Sequence, residues 1–350
     1  MVVEYLNDSN RGEWDRFALE SGSAWFRHTT FWLDYSSCCR FDSNTRNFSF
    51  MVKQNSHIQA IVPLLAEYSY PERDFDCFTM YGDYTPMPCF SDNLEVSKSS
   101  VVELIRDEML KIVSENNIHY GKFLIDPLIT NCFSRDFAPF DIFGGYPGFS
   151  ANFATTNIVD LRQDEDSILR VMRKGHKAAI KQVFRDGGFR VDKFDRENID
   201  KETFLIFKHL HFVDAGRQTR TDASWDCMFE WIMAGNAFLT LLWDESASEY
   251  KAGALVMMYK KSAYYASFGT SDSGLLKGHA GYAIQWEIIR YLKAKGYEFY
   301  ETGPNKYQVD NNSLKVSEIS KYKRGFRSLE FQRLTFYADF IQMLETINKQ

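Results

Sequence analysis

The sequence has no excess of positive charge. Its 350 residues carry 41 Lys and Arg against 47 Asp and Glu, a formal net charge of -6. A general nucleic-acid binder shows a clear basic excess, so the charge argues against that class and DNA is not an expected partner. A local basic groove is not excluded. Long apolar runs are missing as well. The strongest, "AFLTLLW" and "AGALVMMY", have the length of strands, whereas a membrane-crossing helix needs about 20 apolar residues. "MVVEYLNDSN" is polar almost from its start, so no secretory signal is expected and the expected location is the cytoplasm.

The cysteines, Cys38, Cys39, Cys77, Cys89, Cys132 and Cys227, include no C-x-x-C pair. Cys38 and Cys39 are adjacent, a poor geometry for bonding each other. Reduced, mostly buried thiols are the expectation. No G-x-G-x-x-G follows a first strand, and no G-x-x-x-x-G-K-[ST], G-x-S-x-G or H-E-x-x-H occurs, so the chemistry those motifs serve is not expected. His209 and His211 lie two apart, which sends them to opposite faces of a strand or well apart on a helix. Metal dependence is therefore not expected.

What is abundant is aromatic: 16% of the chain, with 30 Phe and 19 Tyr. Core filling accounts for most of it. The chain also repeats itself in order, weakly in identity. The first copy runs "TTFWLDYSSCC", "NFSFMVKQ", "HIQAIVPLLAEYSY", "SKSSVVELIRDEMLKIVSENN", "IHYGKFLID". The second runs "DASWDCMFEWIMAG", "AFLTLLWDE", "KAGALVMMYKKSAYYASFGT", "GHAGYAIQWEIIRYLKAKG", "YEFYETG". Each reads as a Trp-bearing helix, a strand, a strand or hairpin, a helix and a further strand.

Between the copies, Ile168, Val171, Met172, Ala179, Ile180 and Val183 form a helical stripe, with Gly187 and Gly188 as its stop. The other face is basic: Arg170, Arg173, Lys174, Lys177, Lys181 and Arg185. "FYADFIQMLETINK" reads as a last helix. The expected fold class is α/β (α+β), two similar units with mixed sheets flanked by helices. The expected division is 1–150 and 151–350, the second including the linker helix and the C-terminal helix.

One stretch, "GLLKGHAGYAIQWEII" at 274–289, is ambiguous. Lys277, Gly278 and His279 precede a helix beginning near Ala280, with Gly281 in its first turn and Gly269 ending the strand before it. Free N–H groups and the positive end of the dipole attract phosphate there. Glycines before helices are also common, and a plain turn is the other reading. The matching stretch of the first copy, "CFSDNLEVSKSS", has no glycine and carries Asp92 and Glu95. That is the pattern of one active unit and one degenerate partner. Trp286 on the following helix reads as core. Two further clusters stand out, Lys321, Lys323, Arg324 and Arg327 in "EISKYKRGFR", and Arg217 and Arg220 before Trp225, with Asp222 a possible N-cap. Solvated surface turns are the plain alternative for both.

The order of four of these stretches resembles the FemAB/FemX family of tandem-GNAT acyltransferases. They are "VMRKGHKAAIKQVFRDGGFRV", "GRQTRTDASWDCMFEW", "GHAGYAIQWEIIRYLKAKGYEFYETG" and "ISKYKRGF", the last with Tyr322 where the family signature has Phe. The resemblance covers nearly the whole chain. It implies two GNAT-like domains, the first degenerate and on the acceptor side, the second binding the acyl donor, and transfer of an acyl or aminoacyl group to an amine. In kind the chain looks most like FdhC-like nucleotide-sugar N-acyltransferases of surface-glycan (lipopolysaccharide or O-antigen) biosynthesis. Acyl-CoA is then the cosubstrate, a nucleotide-linked amino sugar the acceptor, and no metal is needed.

The resemblance gives residues roles. Gly269, Lys277, Gly278, His279, Ala280 and Gly281 would hold the CoA pyrophosphate. Asp272, His279 and Glu301 are base candidates. Arg217, Arg220 and Lys323 would neutralise acceptor phosphates, with Trp225, Tyr265 and Lys321 beside them. Lys323 would also stabilise the transition state. Two alternatives stand: an aminoacyl-tRNA-dependent peptidoglycan-bridge transferase, and a non-catalytic protein that binds a nucleotide sugar or a partner. Trp32 is followed by no lysine before Arg40, and no long heptad segment exists. Both departures weigh against the bridge enzyme.

Overall fold

The structure is a computed structural model. It describes residues 1–69, 76–129, 140–144, 147–186, 188–271, 280–305, 314–326, 329–347 and 349. The chain forms two compact units, Met1–Phe153 with Arg333–Gln350, and Ala154–Gln332. The last segment, which the sequence reading assigned to the second half, thus belongs to the first.

The repeated order of elements is present in both units. In the first, the Trp32 helix spans Thr30–Cys38, and the strands Phe50–Gln54, His57–Val62 and Leu65–Ser69 follow. The helix Lys98–Asn116 begins at Ser97, whose hydroxyl accepts from Ser100 N, and ends at Asn117 in the left-handed region. Its buried side chains, Val101, Ile105, Met109 and Ile112, recur at helical spacing. It leads to Ile118–Leu124, which pairs parallel with Asp76–Phe78 and antiparallel with the tail at Thr335–Asp339. "FYADFIQMLETINK" therefore begins as strand: Leu329–Asp339 precedes the helix Phe340–Ile347. Phe336 and Ala338 are buried while Tyr337 between them is exposed, the alternation of a strand.

In the second unit, Phe189–Phe194, Ala237–Asp244, Glu249–Tyr259 and Ser262–Thr270 form an antiparallel run. Phe299–Pro304 then joins in parallel, and Phe149–Asp160 lies beyond it. Helices cover both faces of this sheet. On one, Ile284, Ile288 and Leu292 of the helix Ala280–Ala294 pack with Phe238, Ala254, Val256 and Tyr300. On the other, Phe207 of the helix Lys201–Ala215 approaches Gly253 so closely that a Cβ there would stand 3.1 Å from the ring. Trp286 is buried in the first core, as expected.

Three local readings change. The linker stripe is broken into Glu165–Val171 and Lys174–Asp186, because Met172 turns extended and Arg173 N donates to Gly325 O at 2.9 Å. Val171 falls outside the buried stripe and is exposed. The N-cap of Asp222–Met233 is Thr221, whose hydroxyl accepts from Ser224 N, and Asp222 is the first helical residue. Gly187 lies outside the described residues, while Gly188 has φ +109, where a side chain is strained.

Candidate functional site

The parallel pair in the second unit comes apart. Ser262, Ala263 and Tyr264 pair with Phe299, Tyr300 and Glu301. Past that point each strand follows its outer neighbour. Pro304 and Gly303 pair with Thr156 and Asn157. On the other side, Ser267 pairs with Leu255 and Tyr265 with Val256, which leaves Ala266 as an extra residue. Such a bulge bends a strand and reverses which side chains face each side. Tyr265 and Ser267 therefore face opposite ways. The Ser267 hydroxyl is buried with no hydrogen-bond partner, which is unusual for a native polar group.

Buried polar groups crowd the end of Phe299–Pro304. Glu301, buried, accepts from the Thr156 hydroxyl. Asn157 donates to Gly303 O at 3.2 Å and to Asn305 Oδ1 at 2.7 Å. Asn305 donates to the Thr155 hydroxyl at 2.9 Å. Gly303 has φ +105, and a Cβ there would stand 2.6 Å from Lys323 Nζ. The structure thus brings Glu301 and Lys323 to one strand end. Lys321 differs: its side chain is exposed, and its carbonyl accepts from Arg173 at 3.3 Å.

The "KYKRGF" segment is anchored from two sides. His176 of the linker helix bonds the Tyr322 carbonyl at 2.9 Å and packs against Tyr282 and Phe326. The Tyr322 hydroxyl donates to Gly281 O at 2.8 Å, in the first turn of Ala280–Ala294. Tyr300 donates to Gln285 Oε1 at 2.8 Å. Burial raises the phenol pKa of Tyr265, Tyr300 and Tyr322, so all three stay protonated, and Tyr300 and Tyr322 donate as described. The helix starts at Ala280 as expected. Asp272, Lys277, Gly278 and His279 lie outside the described residues. Gly269 has a packing reason of its own, since a Cβ there would stand 2.4 Å from His211 N.

A second feature lies between Lys201–Ala215 and Asp222–Met233. A cavity of about 300 Å3 there is lined in part by His209, His211, Arg217 and Trp225. The two histidines, expected to point apart, both border it. Trp225 is also core, edge-on to Phe204 and Phe207. Arg220 lies over the Trp225 ring at 4.9 Å and contacts His211 Nε2 at 3.3 Å. Burial first, and the Arg220 charge second, lower the His211 pKa from 6.5 to about 4.

Sequence reasoning missed Asn157, Asn305, His176 and His211 as members of these sites. An Asn within "TTNIVD" was the available signal, a poor strand former in an otherwise β-branched run. Among the described residues no group of three or more His, Cys, Asp or Glu could hold a metal ion. No helix among them is long and apolar enough to cross a membrane.

No family model and no curated protein sequence matches the chain. Solved structures do match its fold. FemX is similar over 100% of both chains, at 14% identity and a TM-score of 0.67. L-PGS from Bacillus licheniformis is similar over 99% of this chain and 98% of its own, at 13% identity and a TM-score of 0.59. A tandem GNAT protein from the clavulanic acid biosynthesis pathway is similar over 97% and 99%, at 12% identity and a TM-score of 0.51. The chain therefore has a tandem GNAT-like fold, as its sequence predicted.

Proposed function

We propose that this protein is a transferase that moves an acyl or aminoacyl group onto an amine, with the reaction in the second unit. The observation that carries the reading is the parting of the strands after Tyr264 and Glu301, next to a buried polar cluster and Lys323. Main chain that leaves its ladder and a buried serine hydroxyl with no partner fit a bound, extended, polar donor arm. The likeness to GNAT structures supports the same reading.

In the finer form of this proposal the donor is acyl-CoA and the acceptor a nucleotide-linked amino sugar. The donor supplies a thioester carbonyl. The neutral amine attacks it, the C–S bond breaks, the amine gives up a proton and the sulfur leaves as thiolate or thiol. Strand N–H groups near Ser267 polarise the carbonyl, and Lys323 stabilises the oxyanion. Glu301 is the base candidate within the described residues, and Thr156 orients it. The 274–281 loop is proposed to hold the pyrophosphate of CoA.

The second reading is aminoacyl-tRNA-dependent transfer onto a peptidoglycan precursor. It is favoured by the likeness to FemX and L-PGS and by the linker, where Arg170, Arg173, Lys174, Lys181 and Arg185 are all exposed. The test is a thiol-release assay with several acyl-CoAs against a panel of nucleotide-linked amino sugars. Release above background is expected for at least one pair. Release from none rejects acyl-CoA use. Amine-dependent transfer from charged tRNA that ribonuclease abolishes selects the second reading, and turnover by either route removes the non-catalytic one.

A further inference from the structure

The linker carries a row of cations with no acid among them. From Ser167 to Arg185 the chain contains no Asp or Glu, although it is acidic as a whole. Lys174, Lys177, Lys181 and Arg185 lie on the helix Lys174–Asp186 at steps of three, four and four residues, which keep to one face. The row spans about 16 Å, at about 1.5 Å of rise per residue. The opposite face carries His176, Ala179, Ile180 and Val183, all buried. Arg170 and Arg173 stand exposed just before it.

Among the described residues, no ion pair involves Arg170, Arg173, Lys174, Lys177 or Lys181. Lys177 Nζ donates to the Arg170 carbonyl at 3.2 Å and Arg173 to the Lys321 carbonyl at 3.3 Å. These bonds leave both charges unneutralised. Like charges three and four residues apart repel and weaken a helix. An external anion relieves that repulsion.

The turn between the two linker helices adds an apolar tip. Val171 is 41% exposed, between Arg170 and Arg173. It is held there, because Met172 beside it is buried and Arg173 N donates to Gly325 O at 2.9 Å. Ile319 is 45% exposed on Leu314–Arg324, the helix whose Lys321 carbonyl binds Arg173. Aliphatic tips among cations have little to gain from a phosphodiester or a base. They can enter the headgroup layer of a bilayer while the cations meet lipid phosphates. A surface for single-stranded RNA presents aromatic rings for stacking. Here the rings of Tyr282, Tyr322 and Phe326 pack on His176 instead.

We infer that the linker is a docking surface for an anionic membrane, with Arg170, Arg173, Lys174 and Lys181 facing lipid phosphates and Val171 entering the headgroup layer. This goes beyond the proposed transfer reaction and does not depend on its donor. A tRNA would compete for the same cations, so RNA is one arm of the test.

The full chain is mixed with vesicles of phosphatidylcholine, or of equal parts phosphatidylcholine and phosphatidylglycerol, and bound protein is read by sedimentation. Binding is expected on the anionic vesicles only and should weaken as salt is added. Lys174→Gln with Lys181→Gln should weaken it about fivefold per lysine, the worth of one cation near an anionic leaflet. Lys111→Gln with Lys261→Gln removes the same charge at exposed sites elsewhere and should leave binding unchanged. Val171→Ser should weaken vesicle binding about threefold or more. That loss, unlike the loss from the lysines, should persist in added salt. Deacylated tRNA is run in parallel with the same variants. Four results overturn the inference: no binding to anionic vesicles, equal binding to neutral ones, an equal loss in both lysine pairs, or tRNA bound more tightly than anionic vesicles with Val171→Ser without effect. No measurement requires turnover, so this proposal and the transferase proposal fail separately.

Discussion

The Tyr322 hydroxyl donates to the Gly281 carbonyl at 2.8 Å, tying the basic Leu314–Arg324 helix to the first turn of Ala280–Ala294. Ala280, the residue before Gly281, opens that helix, and Gly281 is the last residue of the 274–281 stretch proposed to hold the donor pyrophosphate. The phenol has one job that the phenylalanine of the family signature would not do. Tyr322→Phe should lower the unfolding free energy by about 0.5–1.5 kcal/mol, the worth of one neutral hydrogen bond. Urea denaturation reads this directly, and no change would mean that packing alone holds the segment.

Gly303 and Lys323 need each other's shape. With φ +105 and a Cβ position 2.6 Å from Nζ, Gly303→Ala adds backbone strain of about 1–3 kcal/mol and displaces the ammonium. Its turnover should fall to the level of Lys323→Ala. That level is about tenfold or more below the wild type, if a charged contact worth about 1.5–3 kcal/mol is lost. Normal steady-state kinetics in Lys323→Ala would leave Lys323 a structural residue.

Gly325 carries the His176 ring where a side chain would be, since a Cβ there would stand 2.0 Å from the imidazole. Gly325→Ala should destabilise by about 1–3 kcal/mol through overpacking. His176→Ala opens space at the same point, so the double variant should be less destabilised than the two single losses added together. Strict additivity in thermal or urea unfolding would contradict this contact.

Acid should destabilise the second unit through two histidines. Burial lowers the pKa of both His176 and His211, the latter to about 4. The unfolded chain then takes up protons near pH 6.5 that the folded chain does not. Stability from these groups is complete above about 6.5 and is lost as pH falls through the folded values. Unfolding free energy measured from pH 7 to 4 should decline, and His211→Asn should flatten part of that decline. An unchanged slope in the variant would place His211 in contact with water.

Much of this architecture was legible because its signals are local. Lys98–Asn116 declares itself by apolar residues at helical spacing and a serine at its start, and Ala280–Ala294 by the same spacing around Trp286. The repeated order of elements, and with it the tandem GNAT-like fold, follows from such signals in sequence. The break at Met172 and the strand within "FYADFIQMLETINK" were not legible, because Gly325 and the strand Ile118–Leu124, distant in sequence, impose them.

The candidate site divides in the same way. Residue types alone singled out Lys323, Arg217 and Trp225, since charged clusters are visible in the chain itself, and the family resemblance added Glu301. Tertiary structure alone placed Lys323 against Gly303, enclosed Glu301 with Thr156, and set Arg220 against His211. Composition and periodicity set which face of an element is buried. They carry no information about which two buried polar groups meet, because that depends on strand register and on helices packed from far along the chain.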